Sequence, residues 1–344
     1  MHADLIQLAK RGVHFHGAQD FQMEGIAHDW NLAMDAQPAL TGTNSAGIPA
    51  FLSMYIDPKS IPVLFSPMQA VEIVGAETKK GDWTTTSAMF QMIESTGFVS
   101  NYDDFGNSGR AGANVTFPQR QNQTFQVMTK YGEMEMERAG LARVDWANAL
   151  NIASILTLNK YQNLTYFFGC AGVTNNYGLL NDPNLPASIV AGIKAAGGTT
   201  WTAGTALEIF LDVQNMYKQA QTQMLGNVTL KSKMTLAMSP LSEVNLTKVV
   251  PTYGTMSVAD LIKKTFPNME IKTAVEYNTS GSGLIAQLIC ESDDGQATAE
   301  CAFTEKLRTH AIVVGNSSWS QKKSQGTYGT VIYRPMNIVG MTGL

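Results

Sequence analysis

A chain of 344 residues sits near the length at which one hydrophobic core divides into two lobes, so one or two domains with extensions are expected. Charged residues are only 15% of the chain and hydrophobic residues 44%, whereas ordinary soluble domains carry roughly 25% charge. The net charge of -4, with the acidic excess confined to residues 1–132 and no basic stripe anywhere, excludes a protein built to read nucleic acid. Cys170, Cys290 and Cys301 are odd in number and lack CxxC spacing, which argues against a disulfide framework or a zinc site and fits reduced thiols. The first residues lack the basic-then-apolar order of a secretory signal, and no run approaches the length of a membrane span, so no membrane partner is expected.

Residues 1–62 read as an extended N-terminal arm, with a short helix over Asp4–Arg11 and a loop over Thr41–Gly47. Prolines 49, 58, 62 and 67 punctuate the next stretch, and Val71–Gly75 reads as a short strand. Residues 84–131 then form one long hairpin: two polar, strand-like runs flank the glycine-rich turn Asp103–Gly112, and the returning arm, Ala113–Val127, alternates at Val115/Phe117 and Phe125/Val127. Arms of about fifteen residues would project roughly 50 Å. A lone two-stranded ribbon is marginal in water, so this finger needs a neighbour to lie on.

From Glu133 the pattern turns helical. Glu133, Glu135 and Glu137 place negative charge in a first turn, and the apolar recurrence predicts one helix over 133–168, 36 residues long, or about 54 Å. Asn151, Asn159 and Asn163 are assigned to its outer face. After the turn-rich link through Asn175–Pro183, a helix is expected over Thr205–Met224, a strand over Lys233–Ala237, and a short helix opened by Ser239–Pro240. A helix over Ser257–Phe266 follows, then strands over Ile271–Tyr277 and Leu284–Cys290 and a closing strand over Thr327–Pro335. Such alternation describes a compact mixed lobe.

Chemistry is sparse. His14 and His16 would share one strand face, half of a metal site, but only His2 and His28 lie nearby and no carboxylate cluster has ligand spacing with them, so they read as polar arm residues. Neither a phosphate-cradling glycine loop with its lysine nor a nucleophile elbow occurs. Glu133, Glu135 and Glu137 turn onto different helix faces, which suits the helix dipole better than paired acid catalysis. Tyr161, Tyr166, Phe167 and Phe168 have core spacing. Met89, Met92, Met134 and Met136, among eighteen methionines, supply adaptable apolar contact. No catalytic residue, cofactor or metal is assigned.

The order of these parts resembles the major capsid proteins of tailed phages with the Hong Kong 97-type fold, a fold shared by encapsulin shells. The likeness lies in Ile61-Pro62-Val63, Gly81-Asp82-Trp83, Tyr131-Gly132-Glu133 leading the spine helix, and Gly178-Leu179-Leu180-Asn181 after it. It continues in Lys233–Pro240 and in Tyr328–Ile338, where Tyr-Gly-Thr stands for the usual Gly-Gly-Val. The resemblance implies an α+β fold with an N-terminal arm at 1–62, an extended loop with flanking strands at 63–132, a peripheral domain at 133–204 and 311–344 carrying the spine helix, and an axial domain at 205–310. It implies self-assembly through pentamers and hexamers into an icosahedral shell around double-stranded DNA held without sequence specificity, in a virion built in the host cytoplasm. It leaves room for portal, scaffold or decoration partners; either a separate scaffold protein serves or the arm suffices.

The interface residues it implies on the extended loop are Tyr102, Asp103, Asp104, Phe105, Arg110, Phe117 and Arg120. Some relatives cross-link a loop lysine to a neighbour's asparagine, but no lysine lies between Thr84 and Gln126, so a noncovalent shell is expected. Two rivals stand beside this reading: an encapsulin-like nanocompartment, and a soluble hydrolase with an unrecognised site. Deleting Tyr102–Asn114 is expected to leave the subunit folded but unable to close shells, as followed by circular dichroism and electron microscopy. Unfolding of the shortened subunit would refute the extended-loop assignment.

Overall fold

The computed structural model describes residues 67–141, 145–250, 256–279, 283–293 and 295–344, all within one unit, Pro62–Leu344. The arm expected at 1–62, the prolines at 49, 58 and 62, and the four histidines near the start lie outside the described residues.

The first described element is a helix, α1 (Ala70–Val74), where the sequence pointed to a strand. Its buried residues Ala70, Ile73 and Val74 are spaced for one helix face, and Gly75, at φ 87, closes it by donating its N–H to the Val71 carbonyl. The short strand β1 (Glu77–Lys79) follows. The hairpin is then divided into β2 (Ser87–Met89), β3 (Met92–Phe98), β4 (Arg110–Thr116) and β5 (Gln119–Gln121), succeeded by β6 (Gln123–Gly132). The returning arm is therefore three strands and not one. Pro118, which has no N–H to give a ladder, separates β4 from β5, and β6 leaves the hairpin to pair along its whole length with Ser318–Thr327. Only β2/β5 and β3/β4 pair with each other, so the free finger is shorter than expected.

The spine is two helices, α2 (Glu133–Leu141) and α3 (Trp146–Phe168). Asp145 starts the second: its side chain accepts the Asn148 N–H at 3.3 Å and its carbonyl accepts the Ala149 N–H at 3.1 Å. An aspartate in this capping role explains why the expected 36-residue helix is split. α3 is also turned relative to expectation. Asn151 accepts from Lys323 Nζ at 3.0 Å, Asn159 accepts from Gln325 at 2.9 Å, and Asn163 donates to Glu276 at 2.6 Å, so these polar groups face inward. Ile152, Tyr161 and Leu164 are exposed instead. At its end, Gly178 packs so tightly that a Cβ there would come within 2.3 Å of the Phe167 backbone, while Asn181 ties Gly178 N–H to the Phe168 carbonyl.

The remaining elements are β7 (Ile189–Val190), α4 (Ala206–Gln223), β8 (Met234–Met238), α5 (Pro240–Asn245), α6 (Val258–Thr265), β9 (Met269–Thr273), β10 (Asn278–Thr279) and β11 (Gly283–Cys290). They end with β12 (Ser292–Asp293), β13 (Gln296–Ala297), β14 (Ala299–Val314), β15 (Ser318–Ile332) and β16 (Ile338–Thr342). Thr205 and Ser257 close capping boxes with Glu208 and Asp260, which fixes the starts of α4 and α6. Residues 275–277, read as strand, form a 3-10 turn after β9.

Two sheets carry the body. One has the order β1-β14-β15-β6, with α3 across it; the other runs β7-β16-β11-β8-β9, with β10 paired to β11. β8, buried at every position, sends Met234, Leu236 and Met238 into the core under α4 and α6, and Ala237 into the core holding Phe167, Leu179 and Tyr277. The division expected at 310/311 cuts through β14, which is paired along its length with β15, and β16, assigned with 311–344, lies in the second sheet beside β11. Cys170, Cys290 and Cys301 are buried and form no disulfide, and among the described residues no helix is long and apolar enough to cross a membrane.

The loop before α4 is held by a buried ion pair. Asp212 accepts from Lys194 Nζ, from Trp201 Nε1 at 2.9 Å and from the Gly192 N–H at 3.0 Å, and both charged side chains are almost wholly buried. Asp212→Asn strands the Lys194 charge in the core and is expected to destabilise the unassembled subunit by about 3–5 kcal/mol, measured by urea unfolding. Replacing both residues with Lys194→Met and Asp212→Leu is expected to do less damage than the single change.

Candidate subunit interface

Every residue of β3 and β4 is exposed. Their register, from Met92↔Thr116 to Phe98↔Arg110, gives the ribbon two unlike faces. Ile93, Ser95, Gly97, Ala111, Ala113 and Val115 share one face, small in the middle and apolar at the end nearer the body. Met92, Glu94, Thr96, Phe98, Arg110, Gly112, Asn114 and Thr116 share the other. Beyond the last pair, the tip is stabilised locally: Asp103 accepts the Phe105 N–H on its side chain at 3.3 Å and the Gly106 N–H on its carbonyl at 3.1 Å. Val99, Tyr102 and Phe105 stand more than 90% exposed. The Tyr102 hydroxyl is hydrogen-bonded to Asp104, which raises its pKa above the ordinary tyrosine value.

The root of the ribbon is fastened on both arms. On the outgoing arm, Trp83 lies under the Arg308 guanidinium, 5.0 Å from its ring centroid, and against His310 at 5.9 Å. On the returning arm, Arg120 is buried, ion-paired to Asp182 and stacked 4.9 Å over Tyr177. Gln121 donates its N–H to the Asn175 carbonyl at 3.3 Å and accepts from Asn176 at 3.0 Å. Asn122 bridges to the Thr85 and Thr86 carbonyls at 3.1 and 2.8 Å. Between root and body lies a cleft of about 690 Å³ walled by Phe90, Phe117, Tyr177, Tyr333 and Pro335.

The residues named from sequence thus fall into two groups. Tyr102, Asp103, Asp104 and Phe105 sit at the tip, and Arg110 faces Phe98 at the start of the returning strand. Phe117 lines the root cleft and is 59% exposed. Arg120 departs from the expected surface position: its charge is met by Asp182 inside the subunit. Sequence reasoning missed the Ile93/Ala111/Ala113/Val115 face. Met92–Phe98 reads Met-Ile-Glu-Ser-Thr-Gly-Phe, with no apolar alternation to mark that face, and only the cross-strand register brings these side chains together. A further exposed apolar group, Met134, Leu141, Ile312, Val313 and Val314, belongs to α2 and the outer end of β14.

Catalytic geometry is poor. His310 Nε2 lies 2.9 Å from Ser324 Oγ, but Ser324 is buried at 1% exposure, out of reach of a substrate. Among the described residues no three His, Cys, Asp or Glu side chains gather as metal ligands. Burial drives the Cys301 and Tyr166 pKa values far up, which keeps both groups protonated and inert.

No curated protein matches this sequence. Among solved structures, the capsid of Myoviridae phage XM1 superposes with a TM-score of 0.74 at 13% identity, covering 88% of this chain and all of that one. The capsid of a native GTA particle gives 0.57 at 10% identity over 90% and 97% of the two chains, and that of cyanophage P-SCSP1u gives 0.56 at 10% over 89% and 97%. At such identities the likeness speaks for the fold, which is the Hong Kong 97-type capsid fold. The family model described as Pa193 gp26 major capsid protein matches residues 39–343, nearly the whole length, and the chain belongs to that family of phage major capsid proteins.

Proposed function

We propose that copies of this subunit close into an icosahedral shell around double-stranded DNA, each hairpin lying on a neighbouring copy by its Ile93/Ser95/Gly97/Ala111/Ala113/Val115 face. The observation that carries this is the ribbon itself: fourteen ladder residues, all exposed, with one face of small and apolar side chains that lets another backbone approach closely. Contact between unlike patches closes into rings when its rotation divides a circle, which yields the pentamers and hexamers of such a shell. In this arrangement the β1-β14-β15-β6 sheet with α3 serves as the peripheral domain, and the second sheet with α4 and α6 as the axial domain. The hairpin carries no lysine, so its contacts are noncovalent. Near-neutral charge suits a container, because a strongly basic wall would hold the duplex by releasing its counterions. Assembly takes place in the host cytoplasm, with portal, scaffold or decoration proteins joining the shell and not required for the subunit's own fold.

The test separates the two faces and the cargo. Ala111→Arg and Ala113→Arg are expected to leave subunit stability within about 0.5 kcal/mol, as exposed changes do, and to abolish particles in electron micrographs, while Glu94→Ala and Asn114→Ala assemble normally. The reverse pattern would place the other face on the neighbour. Particles isolated from infected cells are expected to protect DNA from nuclease; particles filled only with protein would support the nanocompartment reading instead.

A further inference from the structure

We infer that Arg120 and Asp182 form a pivot that sets the angle at which the hairpin leaves the subunit, and through that angle the curvature of the assembled shell. The inference rests on the shell reading above and deepens it.

Four observations meet at this pair. First, Arg120 stands where the returning arm changes partner: β5, which contains it, pairs with β2 inside the hairpin, whereas β6, starting three residues later, pairs with β15 in the body. A turn of the backbone here reorients everything beyond it. Second, both charged side chains are buried, Asp182 almost completely, so water offers little substitute for either partner. Third, the socket is rigid. Asp182 accepts the Asn184 N–H at 3.0 Å, and its loop is tied to the end of α3 through Leu179 and Leu180 N–H groups donated to the Tyr166 and Phe167 carbonyls at 2.9 Å. Fourth, Arg120 meets Asp182 through Nη2 alone, and Nη1 is buried without a hydrogen-bond partner among the described residues. A bidentate fork would fix the guanidinium plane. Here a single bond, with the guanidinium carbon 4.9 Å over the Tyr177 ring centroid, holds the position of the group without the second hydrogen bond that would lock its orientation to Asp182.

The lever is long. The outgoing arm from Ser87 to Phe98 spans roughly 40 Å when extended at ~3.3 Å per residue, so a turn of about 5° at the root carries the tip through roughly 3–4 Å. Each neighbour seats its hairpin by the same rule, and a closed shell tolerates only rotations that return to their start. The cleft beside the pivot has Phe90 and Phe117 on the hairpin side and Tyr177, Tyr333 and Pro335 on the body side, so its width follows the same angle. Arg120 and Asp182 are positioning residues in this account and touch no neighbour themselves.

The experiment uses full-length protein assembled in cells, with particle diameters read from electron micrographs and subunit stability from thermal unfolding. Asp182→Asn is expected to give particles of mixed diameter or open sheets in place of one diameter, and the exchanged pair Arg120→Asp with Asp182→Arg to restore a narrower distribution. Should Asp182→Asn fail to fold, Arg120→Lys decides: it keeps the charge opposite Asp182 but loses the planar stack on Tyr177, and its shells are expected to lose the single diameter. Uniform shells of wild-type diameter from Arg120→Lys or from folded Asp182→Asn would overturn the pivot. Absence of any particle from the unaltered protein would instead refute the shell reading itself.

Discussion

Ten consecutive ladder pairs join β6 to β15, from Gln123↔Thr327 to Gly132↔Ser318, and the rest of the extended architecture depends on them. They give the returning arm a place in a real sheet before it meets α2. Without that anchorage the hairpin would be a free two-stranded ribbon, which water does not stabilise. With it, the ribbon leaves the body from a fixed base, its outgoing arm held by Trp83 and its returning arm by Arg120, Gln121 and Asn122. The subunit therefore folds around two main cores that the hairpin does not enter; only the hairpin's root, through Ala88 and Phe90, packs on a third, small cluster of Ala302, Tyr328 and Val331. What the hairpin contributes is reach, and reach acquires free energy only when another surface meets it.

The central strand of that sheet is unusual for a core element. Residues 323–332 of β15 are all buried, yet the first half of that run, 323–327, reads Lys-Ser-Gln-Gly-Thr. Burial of such groups costs least when they are hydrogen-bonded, and most here are, although Gln325 Oε1 and the Tyr328 hydroxyl have no partner among the described residues. Lys323 Nζ is met by Asn151 Oδ1 at 3.0 Å and Ser154 Oγ at 2.7 Å, Gln325 by Asn159, and Thr330 by the Tyr166 carbonyl at 2.7 Å. Desolvation pushes Lys323 below the usual lysine pKa. Close backbone approach completes the seam: at Gly329, held at φ 75, a Cβ would fall 2.2 Å from the Tyr177 carbonyl oxygen. α3 and β15 are thus joined by a polar network, and the apolar residues Ile152, Tyr161 and Leu164 are left on the outside.

That seam explains what the sequence disclosed and what it hid. Elements whose apolar spacing matched their burial were legible: α4 between Thr205 and Met224, α6 behind Ser257, β8 and β11 all follow the pattern. So did the order of parts that carries the family likeness. The long strands β14 and β15 were not legible as a pair, because β15 is polar where it is buried and β14 is exposed over most of its second half. The face of α3 was misassigned for the same reason: asparagines were read as solvent-facing when they serve the seam. At the interface, exposure of the tip could be read from composition, but the burial of Arg120 could not. Its partner Asp182 lies 62 positions away and only the fold brings them together.

The chemistry of the ribbon's small face also bears on how a closed assembly corrects its errors. Ile93 and Val115 are the only large aliphatic side chains on that face, and burying a side chain of this size contributes about 1.5–3 kcal/mol. Association must first offset lost rotational and translational freedom, of order 4–15 kcal/mol. In the proposed arrangement, a single hairpin contact by this face therefore contributes little more than the cost of association. Several contacts made at once by one subunit hold it in place, because each later one forms at high effective concentration. A misplaced subunit, lacking the full set, dissociates. Two open ribbon edges would invite indiscriminate strand pairing, but Glu94 within β3, Gly97 and Gly112 in the ladder and Pro118 at its base make the ribbon a poor template. A finger that binds weakly and discriminates is suited to building a shell in which the correct geometry alone satisfies every contact.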